Sequence, residues 1–384
     1  MTGPLDDDST DPESLALLRL IAAGGSSAVR CALIERFGGA ARALAEGVAG
    51  WRDAGLPEDA VAALSAAVAP PTAIAWLREP AHHLIGWHQD DYPPLLHRSP
   101  NPPLALFVAG DPSLLWQPSV AVVGSRGPTP GGRENARDFA RAFVASGLVV
   151  GSGMAAGIDT AAHEATLDAG GRTIAVLGTG PDVPYPRGNT RLHARIVEAG
   201  AVVSEYLPDT GPVAFHFPSR NRILAGLSVA TVVIEAAERS GALITARLAS
   251  EAGREVFAVP GSIHNPLARG CHRLIRDGAG LVASAQEVVD AVSPQIAALA
   301  QDLQRQLGAP IQPAAAVGTD ARSGSGVDDP DYQKLWRALG HDPTAMDQLV
   351  QRTGLTAAAV SSMLLLMELD GRVFSQHGRY FRSR

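Results

Sequence analysis

The stretch SVAVVGSRGPTPGG, residues 119–132, decides how the rest of this 384-residue chain is read. Val120, Val122 and Val123 crowd a short apolar run, which suits a strand covered on both faces. The run stops at Gly124-Ser125-Arg126, and GPTPGG then leads into a helical pattern from Arg133. Strand, glycine-rich turn and helix in that order make the first half of a βαβ unit. The rhythm recurs in GLVVGSG (147–153), RTIAVLG (172–178), AVVSE (201–205), ATVVIEA (230–236), REVFAVPG (254–261) and GLVAS (280–284). β-branched runs about 25 residues apart, with helical patterns between them, predict an α/β fold with an extended, Rossmann-like, doubly wound parallel sheet.

Upstream of this core, residues 80–118 are Pro-rich and irregular, with one short strand expected in LALFVAG (104–110). Residues 12–68 read as short helices. Leu15, Leu17, Leu18, Leu20 and Ile21 form an amphipathic run that GGSS interrupts, and AVRCALIERFGGAARALAEG (28–47) resumes the helical spacing. Downstream, residues 291–329 become rich in Ala, Pro, Gly and Gln and read as a linker with at most one helical piece. Order returns with three helical runs, DYQKLWRALG, TAMDQLVQRTG and TAAAVSSMLLLMELDG, followed by the alternating RVFSQHGRYFR. Three helices and a hairpin predict a winged helix, a module that contacts either DNA or protein. The expected organisation is a small N-terminal helical domain over 1–80, a Rossmann-like domain over 81–290, a linker over 291–329 and a winged helix over 330–384.

An apolar fraction of 46% supports a substantial core, and 18% charged residues is too few for a disordered chain. The N-terminus is acidic, unlike a secretory signal, and no run has the length of a membrane span, so a cytoplasmic protein without a membrane partner is expected. Cys31 and Cys271 stand far apart and outside any Cys/His cluster, so neither a disulfide framework nor a metal site is expected. Net charge is −7, which argues against a broad nucleic-acid-binding face. That excess lies in residues 1–118, which hold seven arginines against fourteen carboxylates, so the rest of the chain is balanced. Apart from Lys334 every cation is an arginine, and any anion site must therefore be built from guanidinium forks.

In an open parallel sheet, ligands bind beyond the carboxyl ends of the strands. Arg126 follows the first core strand there. GSGMAAG (151–157) follows the second and includes Gly153. Glycine turns that open helices present backbone N–H groups and the positive helix end, a combination suited to phosphate. GSGMAA also matches the dinucleotide fingerprint, but the following strand ends in Gly178 where a ribose-binding carboxylate is needed, so no NAD or other cofactor is expected. Tyr185, Arg187 and Asn189 follow the third strand, and FPSRNRILAGLS (217–228) brings Arg220, Asn221 and Arg222 to the same rim. Ser219 is expected to cap that helix, placing Asn221 and Arg222 in its first turn. Either arginine could equally pair with Glu205 or Glu235. Asp159 and His163 share a helical face, where capping or packing is favoured over acid–base chemistry. G-x-S-x-G, H-E-x-x-H and Walker motifs are absent from the sequence, and no catalytic residue is assigned.

The segments VAVVGSRGPTPGG, SGMAAGIDTAAHEATLDAGGRTIAVLGTGPDVPYPRGN, SEY, FPSRNRILAGLS, VVIEAAERSGALITARLASEAGREVFAVPG and GCHRLIRDGA together resemble the DNA-processing protein A family (DprA, also called Smf) over residues 88–290. The flanks are similar to the sterile-alpha-motif-like (SAM-like) and winged-helix domains of its longer members. Pro130 departs from the family, which usually has an aromatic before Gly131, so no base stacking is expected at that point. The resemblance implies a protein of natural transformation that binds incoming single-stranded DNA, shields it from nucleases and loads RecA recombinase. It also implies a DNA pocket made by the loop of Gly124, Ser125 and Arg126, by Arg187 and Asn189, and by Arg220, Asn221 and Arg222, and a homodimer formed near Leu274 and Ile275. Gly153 of the second glycine turn joins that pocket, and Phe217, with Phe215 or Tyr185, is expected to stack on bases there. The rival reading is an enzyme, a nucleotide-hydrolysing Rossmann protein of the lysine-decarboxylase-like phosphoribohydrolase type. EAAERSGALIT (235–245) occupies that enzyme's loop position but lacks its glycine pair. A second rival is a duplex-DNA regulator acting through the winged helix alone.

Overall fold

The computed structural model describes residues 11–307, 330–339, 344–355, 360, 364, 367, 373–376 and 379–382. The chain divides into two compact units, one up to Pro310 and one from Ile311.

The first unit opens with helices α1 (Pro12–Ala23), α2 (Ser27–Phe37), α3 (Ala40–Ala45), α4 (Gly47–Asp53), α5 (Glu58–Ala66) and α6 (Pro71–Leu77). The Asp11 side chain accepts from Ser14 N, with Pro12 in the first turn, and so starts α1. Gly38, with φ 71°, ends α2. The Glu13 carboxylate then receives the amides of Ala40 and Ala41, closing the N-terminus of α3 from inside the module. A nine-stranded sheet follows. Its elements are β1 (His82–Gly86), α7 (Pro94–His97), β2 (Ala105–Gly110), β3 (Ser119–Val123), α8 (Pro130–Ala145), β4 (Val149–Ser152), α9 (Ile158–Asp168), β5 (Thr173–Val176), α10 (Thr190–Ala199), β6 (Ala201–Ser204), α11 (His216–Leu227), β7 (Ala230–Val233), α12 (Gly241–Glu251), β8 (Glu255–Ala258), α13 (Arg269–Arg276), β9 (Gly280–Leu281) and α14 (Ala285–Leu307).

Each of the seven apolar runs supplies one strand, and the spatial order is β1-β2-β6-β5-β4-β3-β7-β8-β9. From β6 to β9 every pairing is parallel, while β2 lies antiparallel to β6 and β1 antiparallel to β2. The sheet is therefore mixed at one edge, not parallel throughout. β1, His82-His83-Leu84-Ile85-Gly86, carries no strand signature of its own; it becomes a strand by pairing residue for residue with β2. Val120 and Val122 enter a core with Phe139 and Phe143 of α8 and Ala161 and Ala162 of α9. Ala121 and Val123 point the other way, toward Ile223 and Leu224 of α11 and Ala246 of α12. Both faces of β3 are thus covered, which is why its sequence is a continuous apolar run. Each fully buried valine contributes about 1.5–3 kcal/mol of burial free energy.

The N-terminal helices share buried clusters with the sheet edge. Leu18 and Trp76 pack with Phe107 and Ala175, and Leu17, Ile34 and Trp51 with Leu104. Across residue 80, Trp76 of α6 stacks on His82 of β1 at 4.0 Å between ring centroids. The stretch from 291, expected as linker, is helical as far as Leu307, because Val292, Ile296 and Leu299 pack on the α8 side of the sheet. Among the described residues, no single helix is long and apolar enough to cross a membrane.

The second unit contains α15 (Pro330–Leu339), β10 (Thr344–Ala345), α16 (Met346–Thr353), β11 (Val373–Gln376) and β12 (Arg379–Arg382). β11 and β12 form the expected antiparallel hairpin, and β10 pairs with the other edge of β12. Leu335, Leu339, Leu349, Val360, Leu364, Met367 and Val373 make its core. Most of the third expected helix, over 356–371, lies outside the described residues.

Candidate functional site

β4 and β7 flank β3: the chain winds outward through β4, β5 and β6 on one side, then returns to β7 and winds outward through β8 and β9 on the other. This is the switch point at which an open α/β sheet forms its ligand crevice. A cleft of about 750 Å³ opens there. Of the residues expected in the pocket, Gly124, Ser125, Arg126, Gly153, Phe217, Arg220 and Asn221 line it, as does Tyr185. Three do not. Arg187 is exposed on a short 3₁₀ turn and lies outside the cleft lining. Asn189 donates through Nδ2 to Met154 O and Thr160 Oγ1, both at 2.9 Å, and so ties the second glycine turn in place. Arg222 pairs with Glu205 at 2.5 Å, so its salt-bridge reading is the one the structure shows.

Arg220 has a different position from the one expected of a rim arginine. It is 6% exposed, and its guanidinium donates to Gly153 O (2.8 Å), Asn221 Oδ1 (2.9 Å) and Val176 O. Burial lowers its pKa, an effect the nearby Asp159 opposes. Gly153 has to be glycine, since a Cβ there would stand 2.1 Å from Arg220 Nη2. Arg220 therefore forms the floor of the cleft from inside the protein. Helix α11 begins at His216, earlier than the expected Ser219 cap, and Phe215 at its N-cap position makes no side-chain cap. Pro218 is tolerated because first-turn amides have no intrahelical acceptor. Arg220 and Asn221 thus lie in the second turn, away from the helix end.

The two glycine turns also differ from expectation. Helix α8 starts at Pro130, with Thr129 as cap, and its end is met by Glu235. That carboxylate, 7% exposed, accepts from Thr129 N (2.9 Å), Thr129 Oγ1 (2.6 Å) and Asn265 Nδ2 (3.2 Å). At the second turn, buried Asp159 accepts from Gly153 N (3.1 Å) and Ala155 N (3.2 Å). Burial raises the Asp159 pKa, against the opposing pull of Arg220 and the two amides. His163 is fully buried. Thr173 Oγ1 gives its hydrogen to Val150 O (2.6 Å), so Nδ1 of His163 is the donor to Thr173 Oγ1 (2.7 Å). Burial first, and Arg220 second, lower the His163 pKa to about 3, which leaves a neutral packing residue.

The far wall was not anticipated. Ala237, Arg239, Ser240, Gly241 and Thr245 line the cleft from the β7–α12 turn. Ser240 caps α12 through Ala242 N, and exposed Arg239 stands just before it. The signal was available, since the turn after the strand beside β3 must share the switch point, and ERSG carries a cation, a cap and a glycine in that order. The cleft thus holds Arg126, Arg220 and Arg239, with Asp159 its one lining carboxylate. Tyr185 and Phe217 pack at 5.1 Å between ring centroids along its mouth, and Phe215, 71% exposed, meets the His216 ring edge-on at 4.6 Å. Leu274 and Ile275, expected at a dimer surface, are half-buried on α13 against the sheet core. Among the described residues, no cluster of His, Cys, Asp or Glu could hold a metal ion.

Comparison with known proteins matches residues 83–293 to the model described as DNA recombination-mediator protein A, and residues 319–379 to the DprA winged helix domain. Protein Smf of Escherichia coli is 38% identical over 314 residues, 82% of this chain and 80% of that protein. The crystal structure of DNA processing protein A from Streptococcus pneumoniae aligns with TM-score 0.65 and 38% identity, over 73% of this chain and 98% of that one. The Helicobacter pylori protein, whose structure is described as showing a unique single-stranded DNA binding mode, aligns with TM-score 0.50 and 29% identity over 54% and 95%. A switch-point cleft floored by the Arg-Asn-Arg helix, inside a sheet that this family model covers from end to end of its parallel part, places the chain in the DNA recombination-mediator protein A family.

Proposed function

We propose that the cleft binds single-stranded DNA, and that the protein protects incoming strands and passes them to RecA recombinase during natural transformation. The observation that carries this reading is the pairing of guanidiniums with aromatic rings at one switch point. Arg126 and Arg239 stand on opposite turns of the cleft, and Tyr185 and Phe217 line its mouth. A strand offers regularly spaced phosphates and unpaired bases. Guanidinium forks grip the former without reading sequence, and rings stack on the latter. Net charge of −7 then confines binding to the cleft. The protein acts in the cytoplasm as a homodimer through the α13 region of Leu274 and Ile275, and it binds; it does not catalyse.

The test is fluorescence anisotropy of labelled oligo-dT against the same sequence as duplex, with the Arg126→Ala/Arg239→Ala variant beside the unaltered chain. Tight single-strand binding that rises as salt falls, and that the double variant loses, supports the reading. Salt-independent binding, or full affinity in the variant, sinks it. Base release from nucleoside monophosphates would instead favour the hydrolase. Loss of all binding on deleting 330–384 would favour the winged helix alone.

A further inference from the structure

The first βα turn of a doubly wound sheet is where dinucleotide-binding proteins seat a pyrophosphate, on the amides of a helix N-terminus. Here that place is filled by the chain itself. The Glu235 carboxylate lies so flush on α8 that a Cβ added to Gly132 would stand 2.3 Å from its Cδ. It holds both donors of Thr129, and Gly132 N is turned to Thr129 Oγ1 at 3.0 Å. Asn265, from the turn after β8, secures the carboxylate from the other side. At the second glycine turn Asp159 takes the amides of Gly153 and Ala155 in the same way.

We propose that Glu235 and Asp159 are resident anions that close the fold's two glycine-turn phosphate sites, so that the cleft rejects free nucleotides and dinucleotides and keeps its guanidiniums for an internal phosphodiester. The inference deepens the single-strand reading and rests on it only for the ligand that remains. A pyrophosphate gains most from a nest of amides that wraps several oxygens. With the amides of Thr129, Gly132, Gly153 and Ala155 already bonded, a nucleotide loses those four donors and depends on side-chain cations, which serve each monoanionic link of a strand equally well. The device explains why a chain with a fingerprint-like GSGMAA lacks the ribose carboxylate: no dinucleotide reaches the turn. It also gives a protein working among abundant ATP and NAD a means of leaving its cleft open to DNA.

The experiment uses the full chain. Labelled oligo-dT is bound, and ADP, NAD or inorganic phosphate is added in millimolar excess against chloride at matched ionic strength. The unaltered protein should release no more strand to these anions than to chloride. Glu235→Ala, which empties the helix end, should be stabilised by inorganic phosphate beyond the chloride control in a thermal melt. It should also bind ADP at least about tenfold more tightly than the unaltered protein, a change of roughly 1.4 kcal/mol. Glu235→Gln, which keeps the bulk, should gain neither property. Displacement of the strand from the unaltered protein by ADP beyond the salt effect overturns the proposal. So does a Glu235→Ala protein that phosphate neither stabilises nor refolds. If oligo-dT never binds while Glu235→Ala gains ADP, the closed turns stand and the single-strand reading falls.

Discussion

Gly153 lies flat against the guanidinium of Arg220, whose Nη1 donates to the Gly153 carbonyl at 2.8 Å. The contact joins the second glycine turn to helix α11 and fixes the depth of the cleft. Gly153→Ala forces either the turn or the arginine to move, since the new methyl would overlap the guanidinium. An overpacking cost of about 1–3 kcal/mol is expected. Chemical denaturation should register that loss, and oligo-dT titration should show weaker binding from a distorted floor.

Arg126 and Arg239 are exposed and line the cleft, whereas Arg222 is engaged with Glu205. Arg126→Ala and Arg239→Ala should each lower single-strand affinity and flatten its salt dependence by about 0.7 in log–log slope. Arg222→Ala should leave that slope unchanged and cost stability instead, roughly 3 kcal/mol for stranding a part-buried carboxylate. Salt titrations and melting curves on the three variants separate the roles.

Phe217 and Tyr185 offer ring faces at the mouth. Replacing Phe217 by Ala should reduce oligo-dT affinity by about 1–3 kcal/mol, the worth of one stacked base. An abasic oligonucleotide should be insensitive to the change. Comparing the two probes on the same variant is the measurement.

His163 sets the acid limit. Its folded pKa lies near 3, below the unfolded value of 6.5, so the unfolded chain takes up a proton first. Stability from this residue is complete above about pH 6.5 and is lost as pH falls toward 3, by roughly 1.4 kcal/mol per unit. His163→Gln, which keeps a donor for Thr173, should flatten that limb of a stability–pH profile measured by urea titration.

The parallel strands could be read from the chain because buried parallel strands demand apolar runs on both faces, and Val120, Val122, Val232 and Val233 answer that demand directly. β1 could not, since His82-His83-Leu84 acquires its strand geometry only from β2. Arg126 was legible as a cleft residue from its place after a strand, and Phe217 from the family resemblance, although α11 already begins at His216. Arg239 reaches the cleft because its turn follows β7, the other neighbour of β3, a placement that comes from the strand order and not from the ERSG motif alone. For Arg222 and Asn189 the sequence showed the residue types without the partners, Glu205 in one case and Met154 and Thr160 in the other.

Local chemistry by itself determined the succession of the parallel strands and the helices between them, the all-arginine character of any anion site and the rim on which that site lies. Periodicity and turn residues act between near neighbours, so they survive in a one-dimensional reading. Which arginine stays free and which is paired was decided only in three dimensions, as was the filling of the glycine turns by Glu235 and Asp159. Glu235 meets Thr129 across 106 residues, and Arg220 meets Gly153 across 67. A carboxylate or guanidinium is held by whatever charge and hydrogen-bond partner the fold brings within about 3 Å, and that choice has no period in the sequence.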